Sequence, residues 1–213
     1  MKLDTLTNQA DSTQSINFLA LGDSYTIGES VPQNERWPVL LAKALNENNI
    51  LTNDPTIVAI TGWTTDELQR GIANAALADS YDLVSLLIGV NNQYRGYPIA
   101  QYETEFTVLI DKAIAFAGGS KGTFVVSIPD YGVTPFGQTK DPETIGRELD
   151  EYNAMAKEIA EAKGVLFIDI TPISREALTD PTLVAGDGLH PSGKMYLEWV
   201  ELMTPKVLEI LGE

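Results

Sequence analysis

Cysteine is absent from this 213-residue sequence, and basic residues are scarce. Without thiols the chain can form no disulfide, no thiolate nucleophile and no cysteine-ligated metal site. There are 14 Lys and Arg residues against 30 Asp and Glu, which gives a formal net charge of −16. A surface this negative repels nucleic-acid phosphates and anionic lipid headgroups, so we expect neither as a partner.

Long hydrophobic runs are also missing. One of the longest, LVSLLIGV over residues 83–90, is too short to span a bilayer, so no integral membrane segment is expected. Residues 1–14 are polar and lack the apolar core of a signal peptide. We expect them to form a flexible lead-in to one domain over residues 15–213. The same start would remain after removal of an export signal, so a cytoplasmic and an exported protein both stay open, as does the oligomeric state.

Short apolar runs rich in β-branched residues alternate with stretches of helical period. Continuous apolar runs indicate strands buried on both faces, as in a parallel sheet. The alternation predicts an α/β fold, a three-layer α/β/α sandwich with right-handed crossovers. The predicted strands are 16–22, 56–60, 83–89, 123–129 and 165–170. The predicted helices are 36–48, one that begins near Thr65, 100–117, 143–163 and one that follows Ser192.

The first predicted strand ends in GDSYTIGES, residues 22–30, which places Ser24 just beyond it. In open parallel sheets, ligands bind beyond the carboxyl ends of the strands. A serine hydroxyl is a weak nucleophile at neutral pH and needs a base. The single histidine, His190, follows Asp187 by three residues in GDGLHPSG. That spacing allows the carboxylate to accept a hydrogen bond from Nδ1–H, which leaves Nε2 free as the base.

Acyl transfer also needs hydrogen-bond donors for the developing oxyanion. Gly62 follows the second strand and can present an unobstructed backbone N–H. After the third strand, Gly89 permits a tight turn and Asn91 offers a side-chain amide. Glycine and asparagine are common turn residues, so each signal alone is weak. Their joint placement with Ser24 and His190 favours a serine hydrolase.

These segments resemble the GDSL-type esterases and lipases, the SGNH hydrolases, which are named for four residues in four blocks. The matching segments occur in the family's order and are GDSY (22–25), Gly62, GVNN (89–92) and DGLHP (187–191). The resemblance extends from about residue 16 to the final helix. It implies a flavodoxin-like, five-stranded parallel sheet with strand order 2-1-3-4-5.

The resemblance also implies the roles of individual residues. Ser24 would be the nucleophile, His190 the base and Asp187 its orienting acid. The oxyanion hole would comprise the backbone N–H groups of Ser24 and Gly62 and the side chain of Asn91. The implied enzyme hydrolyses carboxylic esters through an acyl-enzyme, without a metal or another cofactor.

Two residues depart from the family pattern. Tyr25 stands where leucine usually follows the nucleophile, a change expected to alter the mouth of the site. Asn92 stands where the third block usually ends in aspartate. We expect a neutral hydrogen bond there in place of any buried charge interaction.

Other functions fit the sequence less well. GGSKG (118–122) matches a nucleophile elbow, but Ser120 leaves a helical stretch and enters a strand, the reverse of the required order. A metallophosphoesterase would need several histidine and carboxylate ligands, and the chain has one histidine. A flavin- or nucleotide-binding module of the same fold stays open as a non-enzyme alternative, although it leaves the Asp187–His190 pair unexplained. An inactive carbohydrate-binding relative is disfavoured by the complete constellation.

The expected substrate is a small-molecule ester with a short or medium acyl chain, with a lysophospholipid or a thioester as further options. An acetyl ester of a carbohydrate is the main alternative. The candidate substrate contacts are Asp23, Tyr25, Trp63, Tyr94 and Tyr131. The Pro- and Gly-rich segment 129–143 is long for a connection in a compact domain, and we hypothesise that it covers the acyl site.

Overall fold

The computed structural model describes residues 15–212, and the expected lead-in over residues 1–14 lies outside the described part. A five-stranded parallel sheet runs through the centre in the order β2-β1-β3-β4-β5. The predicted strand order is therefore confirmed. The strands are β1 Phe18–Gly22, β2 Thr56–Ala59, β3 Leu83–Leu87, β4 Thr123–Val126 and β5 Leu166–Ile168.

The last four strands end earlier than the apolar pattern predicted. The pattern continues past β3 and β4 because Ile88 and Ile128 are still buried, although they already belong to the turns at the carboxyl edge. At its start, β1 is also shorter than predicted, since Ile16 pairs only in an isolated bridge to Thr52. Every residue of β1 and β3, at the centre of the sheet, is buried on both faces, as in other parallel sheets.

Helices cover both faces of the sheet. They are α1 Ser24–Ile27, α2 Trp37–Glu47, α3 Thr65–Asn74, α4 Val90–Tyr94, α5 Ile99–Phe116, α6 Pro142–Ala162, α7 Thr171–Arg175 and α8 Gly193–Leu211. The β1-to-β2 connection crosses the sheet in the opposite direction from the later ones, so right-handed crossovers place α2 and α3 on opposite faces. Accordingly, α2 packs against α8, and α5 packs against both α3 and α6.

Three of these helices, α1, α4 and α7, escaped the sequence analysis because four or five residues are too few to show a helical period. No helix within residues 15–212 combines the length and the apolar character needed to cross a bilayer. Ser120 begins a 3₁₀ turn that leads from α5 into β4, the order that excludes a nucleophile elbow.

In the turn after β1, Asp23 is buried as the N-cap of α1, and Ser24 follows as the first residue of that helix. Asp23 caps α1, and its Oδ1 accepts a hydrogen bond from the Tyr25 N–H at 3.0 Å. The side chain is fully buried, and its Oδ2 has no hydrogen-bond partner in the described part of the chain. Burial raises the pKa of Asp23 to about 7, although the backbone N–H groups act in the opposite direction.

Helix α4, which carries Asn91, is fixed by a buried chain of hydrogen bonds. At its start, Gly89 has a φ of +133°, and a Cβ there would lie 2.6 Å from the Tyr102 ring. Asn92 accepts a hydrogen bond from the Thr65 N–H at 3.0 Å and donates to the Thr65 hydroxyl at 2.7 Å. That hydroxyl in turn donates to Glu105 on α5. The neutral hydrogen bond expected at Asn92 is present.

We expect Asp23→Asn to stabilise the protein near pH 8 and to change its stability little near pH 4. An unfolded Asp has a pKa of about 3.9, so the raised folded pKa means that the folded chain binds this proton more tightly. Stability is greatest below the unfolded pKa and is lost as the pH rises through about 7. The loss is on the order of 4 kcal/mol for a buried group, and asparagine avoids it while keeping the capping oxygen. Urea unfolding between pH 4 and pH 8 measures the difference.

The matched control is Asp54→Asn, which removes the same charge from an exposed position. It should give no gain that grows with pH. Parallel stability curves for wild type and Asp23→Asn would contradict a buried Asp23 that titrates near neutrality.

We also expect Asn92→Asp to destabilise the protein by about 1–3 kcal/mol, although aspartate is the family's usual residue there. The Thr65 hydroxyl has one hydrogen, which it already donates to Glu105, so it cannot donate to a second carboxylate. Adding Glu105→Gln should recover most of the loss, because a glutamine amide can donate to the Thr65 oxygen and free its hydrogen for the introduced carboxylate. Free energies of unfolding for the double-mutant cycle measure this coupling. Glu103→Gln, an exposed change on the same helix, is the matched control, and equal recovery by both changes would contradict the network.

Candidate active site

A cavity of about 200 Å³ opens beyond the carboxyl ends of β1, β2 and β3. It combines polar groups from the predicted site with apolar and aromatic side chains. The lining residues are Ser24, Tyr25, Thr61, Gly62, Val90, Asn91, Tyr94, Tyr131, Phe136, Leu189 and His190. Five separate segments of the chain therefore meet around one small space, and four of them carry the predicted blocks.

His190 and Asp187 form a hydrogen-bonded pair at this cavity. His190 Nδ1 lies 2.6 Å from Asp187 Oδ2, and Asp187 Oδ1 accepts the backbone N–H groups of Leu189 and His190 at 2.9 and 3.0 Å. Burial opposes ionisation of Asp187, but hydrogen bonds from Ser30, the His190 ring and the backbone outweigh it and hold its pKa well below the usual range. An ionised Asp187 favours the tautomer of neutral imidazole that carries its proton on Nδ1, and in that tautomer Nε2 is an acceptor.

Ser24, the first residue of α1, borders the same cavity as the His190 ring. Tyr25, which replaces the usual leucine, packs its ring edge-on against the imidazole with centroids 5.8 Å apart. The Tyr25 carbonyl accepts a hydrogen bond from the hydroxyl of Tyr196 at 3.0 Å, which ties this turn to α8. Tyrosine in place of the usual leucine thus forms a buried wall of the cavity beside His190.

The oxyanion candidates sit on turns that brace each other. Asn91 Nδ2 donates to the Trp63 carbonyl at 2.9 Å, and because a side-chain amide has two N–H groups, one stays available. Arg95 Nη2 donates to the Gly62 carbonyl at 2.6 Å. Within residues 15–212, the backbone N–H groups of Ser24 and Gly62 have no acceptor. At this end of the sheet, three N–H donors therefore have no acceptor in the described part of the chain.

Sequence reasoning missed Arg95. The guanidinium bridges the Gly62 carbonyl and the Glu67 carboxylate, with 3.3 Å between Nη1 and Oε2 of Glu67. Glu67 itself accepts the N–H of Thr64 in the capping box of α3. Nothing in the sequence distinguishes such an arginine from a solvated one.

Three aromatic rings form one wall of the cavity. Tyr94, Tyr131 and Phe136 have centroids 6.2 to 6.4 Å apart. The Tyr131 hydroxyl donates to Gln93 at 3.0 Å, and the Phe136 N–H donates to the Gly188 carbonyl at 2.9 Å. Tyr94 and Tyr131 were candidate contacts. Phe136 was missed because the segment that carries it shows no period.

The two remaining candidate contacts lie away from this cavity. Asp23 is turned into the protein, where it caps α1. Trp63 packs on α3 at Gly71, where a Cβ would overlap the indole ring, and borders a separate groove of about 560 Å³ beside β2. Both expectations differ from the structure because sequence position fixes the turn but not the direction of the side chain.

No group of three His, Asp or Glu side chains in the described part of the chain is arranged to hold a metal ion. What the cavity offers is a hydroxyl, an imidazole with an ionised partner and unoccupied N–H donors. These are the groups that acyl transfer requires.

Comparison of the sequence with known proteins identifies one matching family and two related esterases. The model of the GDSL-like lipase/acylhydrolase family matches residues 20–197. An arylesterase of Vibrio mimicus is 30% identical over 189 residues, which cover 85% of this chain and 83% of that protein. An acetylxylan esterase of Geobacillus stearothermophilus is 28% identical over 138 residues, 62% of each protein.

Solved structures share the fold at lower identity. The psychrotrophic esterase EstA from Pseudoalteromonas sp. aligns with a TM-score of 0.71 at 20% identity, covering 93% of this chain and all of that one. The acetylxylan esterase Axe2 from G. stearothermophilus aligns with a TM-score of 0.67 at 21% identity, covering 93% and 94%. The family match confirms the resemblance seen in the four blocks: this chain belongs to the GDSL-like lipase/acylhydrolase family and is a carboxylic ester hydrolase.

Proposed function

We propose that the chain hydrolyses carboxylic esters through an acyl-enzyme on Ser24. The observation that carries this proposal is the meeting of Ser24, Gly62, Asn91 and His190 around one cavity. Behind His190, the Asp187 carboxylate lies 2.6 Å from Nδ1. A nucleophile, a base, an orienting acid and oxyanion donors are thus present together.

Each group has one role in the proposed reaction. His190 Nε2 removes the hydroxyl proton as Ser24 Oγ attacks the ester carbonyl, and the negative charge that develops on the carbonyl oxygen is stabilised by the Ser24 and Gly62 N–H groups and the Asn91 amide. The imidazolium then protonates the leaving alcohol as its C–O bond breaks. In the second half, His190 takes a proton from water, the resulting hydroxide attacks the acyl-enzyme, and Ser24 recovers its proton as the acid leaves.

We assign the aromatic side of the cavity to the acyl group. Apart from the catalytic groups, most of the lining is apolar, including Val90, Leu189 and the rings of Tyr94, Tyr131 and Phe136. A volume of about 200 Å³ suits a short or medium chain rather than a long one. Thioesters and lysophospholipids contain the same kind of acyl carbonyl. The preference of the enzyme between them and simple esters therefore depends on how it accommodates the leaving alcohol or thiol.

An acetyl ester of a carbohydrate is the second candidate. Tyr94 keeps 53% of its surface exposed at the rim of the cavity, where a ring face can stack on a sugar. The relative from G. stearothermophilus is named an acetylxylan esterase. In that arrangement the acetyl group occupies the cavity and the sugar lies outside it against Tyr94.

The proposed roles predict graded losses of activity on p-nitrophenyl butyrate in the presence of EDTA. Ser24→Ala and His190→Ala should each lower kcat by about 10⁴–10⁶-fold, because the two residues act as a unit. Asn91→Ala should lower it by about 10²–10³-fold, since one oxyanion donor is lost and the nucleophile is kept. Steady-state kinetics on purified variants with confirmed folding measure these losses.

Ser120→Ala is the matched control, because Ser120 lies in the other serine motif and should be dispensable. Retained activity in Ser24→Ala would refute the nucleophile. A silent Asn91→Ala would refute the oxyanion assignment alone.

The aromatic wall predicts acyl-chain preference. We expect Phe136→Ala to raise the ratio of kcat/KM for the octanoate over the butyrate p-nitrophenyl ester by about 3–10-fold, because it enlarges the apolar end of the cavity. Phe136→Leu should give a smaller change. The ratio is independent of the fraction of folded enzyme, so a general loss of stability cannot imitate the effect. An unchanged ratio, with peracetylated xylobiose the better substrate, would instead favour the carbohydrate ester.

A further inference from the structure

Ser30 has an unusual backbone conformation close to the proposed catalytic pair. Within residues 15–212, only Ser30 and Asn49 are non-glycine residues with positive φ, both at +67°. The left-handed region is unfavourable for most side chains, and asparagine tolerates it better than serine. Asn49 lies just beyond α2, a helix-end position at which asparagine is common. Ser30 has no such explanation.

The turn that follows α1 holds Ser30 in this conformation. The N–H groups of Gly28 and Glu29 both donate to the Ser24 carbonyl at 3.0 Å, which closes the helix immediately before Ser30. The Glu29 carboxylate accepts a hydrogen bond from the hydroxyl of Thr61, beside Gly62. Residues 28–30 are therefore tied to the nucleophile turn at one end and to an oxyanion turn at the other.

The hydroxyl of Ser30 reaches the acid of the pair. Its Oγ donates to Asp187 Oδ2 at 2.6 Å, and the same oxygen accepts the His190 Nδ1–H. The other carboxylate oxygen is already held by two backbone N–H groups. Hydrogen bonds to a charged acceptor are short and strong, so the fourth one limits how far Oδ2 can rotate away from the imidazole.

We propose that Ser30 is a positioning residue of this ester hydrolase, whose hydroxyl holds Asp187 Oδ2 against His190 Nδ1 at the expense of a strained backbone. The inference rests on the proposed roles of Asp187 and His190. Strain at a non-glycine residue persists where the surroundings impose it, and such residues cluster at functional sites. Glycine would be the more stable residue at this backbone conformation, and the hydrogen bond from the Ser30 hydroxyl explains why serine stands here instead.

The test separates the hydroxyl from the backbone. Ser30→Gly removes both the hydroxyl and the strain, whereas Ser30→Thr keeps the hydroxyl and adds a β-branched side chain that disfavours positive φ. We expect Ser30→Gly and Ser30→Ala to lower kcat about tenfold with little change in KM. The loss should be no larger because the hydrogen bond between Ser30 and Asp187 is exposed to solvent, which can replace part of it. Ser30→Thr should keep kcat within about threefold of wild type, because it retains the hydroxyl; a threefold change corresponds to about half the activation free energy of a tenfold change. Its Tm should be the lowest of the series, and that of Ser30→Gly the highest.

A second background shows whether Ser30 acts through Asp187. In Asp187→Ala, measured on p-nitrophenyl acetate, adding Ser30→Ala should cause no further loss, because the acceptor of its hydrogen bond is gone. Asn49→Gly, the matched backbone control, should leave kcat unchanged.

Each result supports or overturns the inference. If kcat follows Tm instead of the hydroxyl, or if the Ser30→Ala loss persists in the Asp187→Ala background, Ser30 does not act through Asp187. If Asp187→Ala is severely impaired while Ser30→Ala is not, only the role of Ser30 fails. If Asp187→Ala keeps wild-type activity, the proposed triad itself fails.

Discussion

The parallel pairing of β1 with both of its neighbours is the constraint on which the site depends. Gly22 pairs with Ala59 on one side and with Leu87 on the other, so three strands end at the same level. Ser24, Gly62 and Asn91 each lie within a few residues of these ends. A slip of one residue in either pairing would turn every buried side chain of a strand to the opposite face. The interior of the sheet therefore fixes the relative positions of the turns that carry Ser24, Gly62 and Asn91.

The fourth contribution comes from outside the sheet. His190 precedes α8, and this helix reaches the nucleophile turn through the hydrogen bond between the Tyr196 hydroxyl and the Tyr25 carbonyl. Helix α8 packs mainly on α2, which follows the same turn in sequence. The distance between His190 and Ser24 thus depends on helix packing, whereas the distances among Ser24, Gly62 and Asn91 depend on strand pairing.

The pKa values of two carboxylates near Ser24 are shifted in opposite directions. Asp187 receives four hydrogen bonds, which hold its pKa well below the usual range. Asp23 is fully buried, and one of its carboxylate oxygens has no hydrogen-bond partner within residues 15–212, so burial raises its pKa to about 7. The two pKa values differ because Asp187 gains enough hydrogen-bond donors to offset its burial, whereas Asp23 does not. A full negative charge on Asp23 would oppose the negative charge that develops on the substrate oxygen next to Ser24. Burial therefore favours the neutral form of Asp23, and hydrogen bonding favours the charged form of Asp187, the proposed orienting acid.

The sequence predicted the parts of this arrangement that follow from local pattern. Continuous apolar runs identified the five strands, and the single histidine with Asp187 three residues before it predicted a hydrogen-bonded pair that the structure contains. Residues that follow strands were expected to meet because parallel strands share a carboxyl edge. Gly62 and Asn91 were found in this way, and both border the cavity with Ser24.

What escaped prediction depends on side-chain direction and on contacts between distant segments. Asp23 turns inward because the α1 N-terminus offers an N–H to its carboxylate, and Trp63 turns onto α3 because Gly71 leaves room for a ring. Ser30 and Asp187 are 157 residues apart. A serine in a polar turn and an arginine after a short helix, such as Arg95, are too common to stand out in one sequence.

The segment between β4 and α6 forms one wall of the cavity and is anchored at two places. Buried Asp130 accepts the Gly132 N–H at 2.8 Å and pairs with Arg175 at 2.9 Å, which attaches the start of the segment to α7. Further along, Phe136 is attached through its N–H to Gly188, in the loop that carries His190. Movement of this segment as a cover would break the half-buried Asp130–Arg175 ion pair and disturb the loop that carries His190. The space available to an acyl chain is therefore set by the side chains that the segment presents, and substitution of those side chains changes it without loss of the anchors.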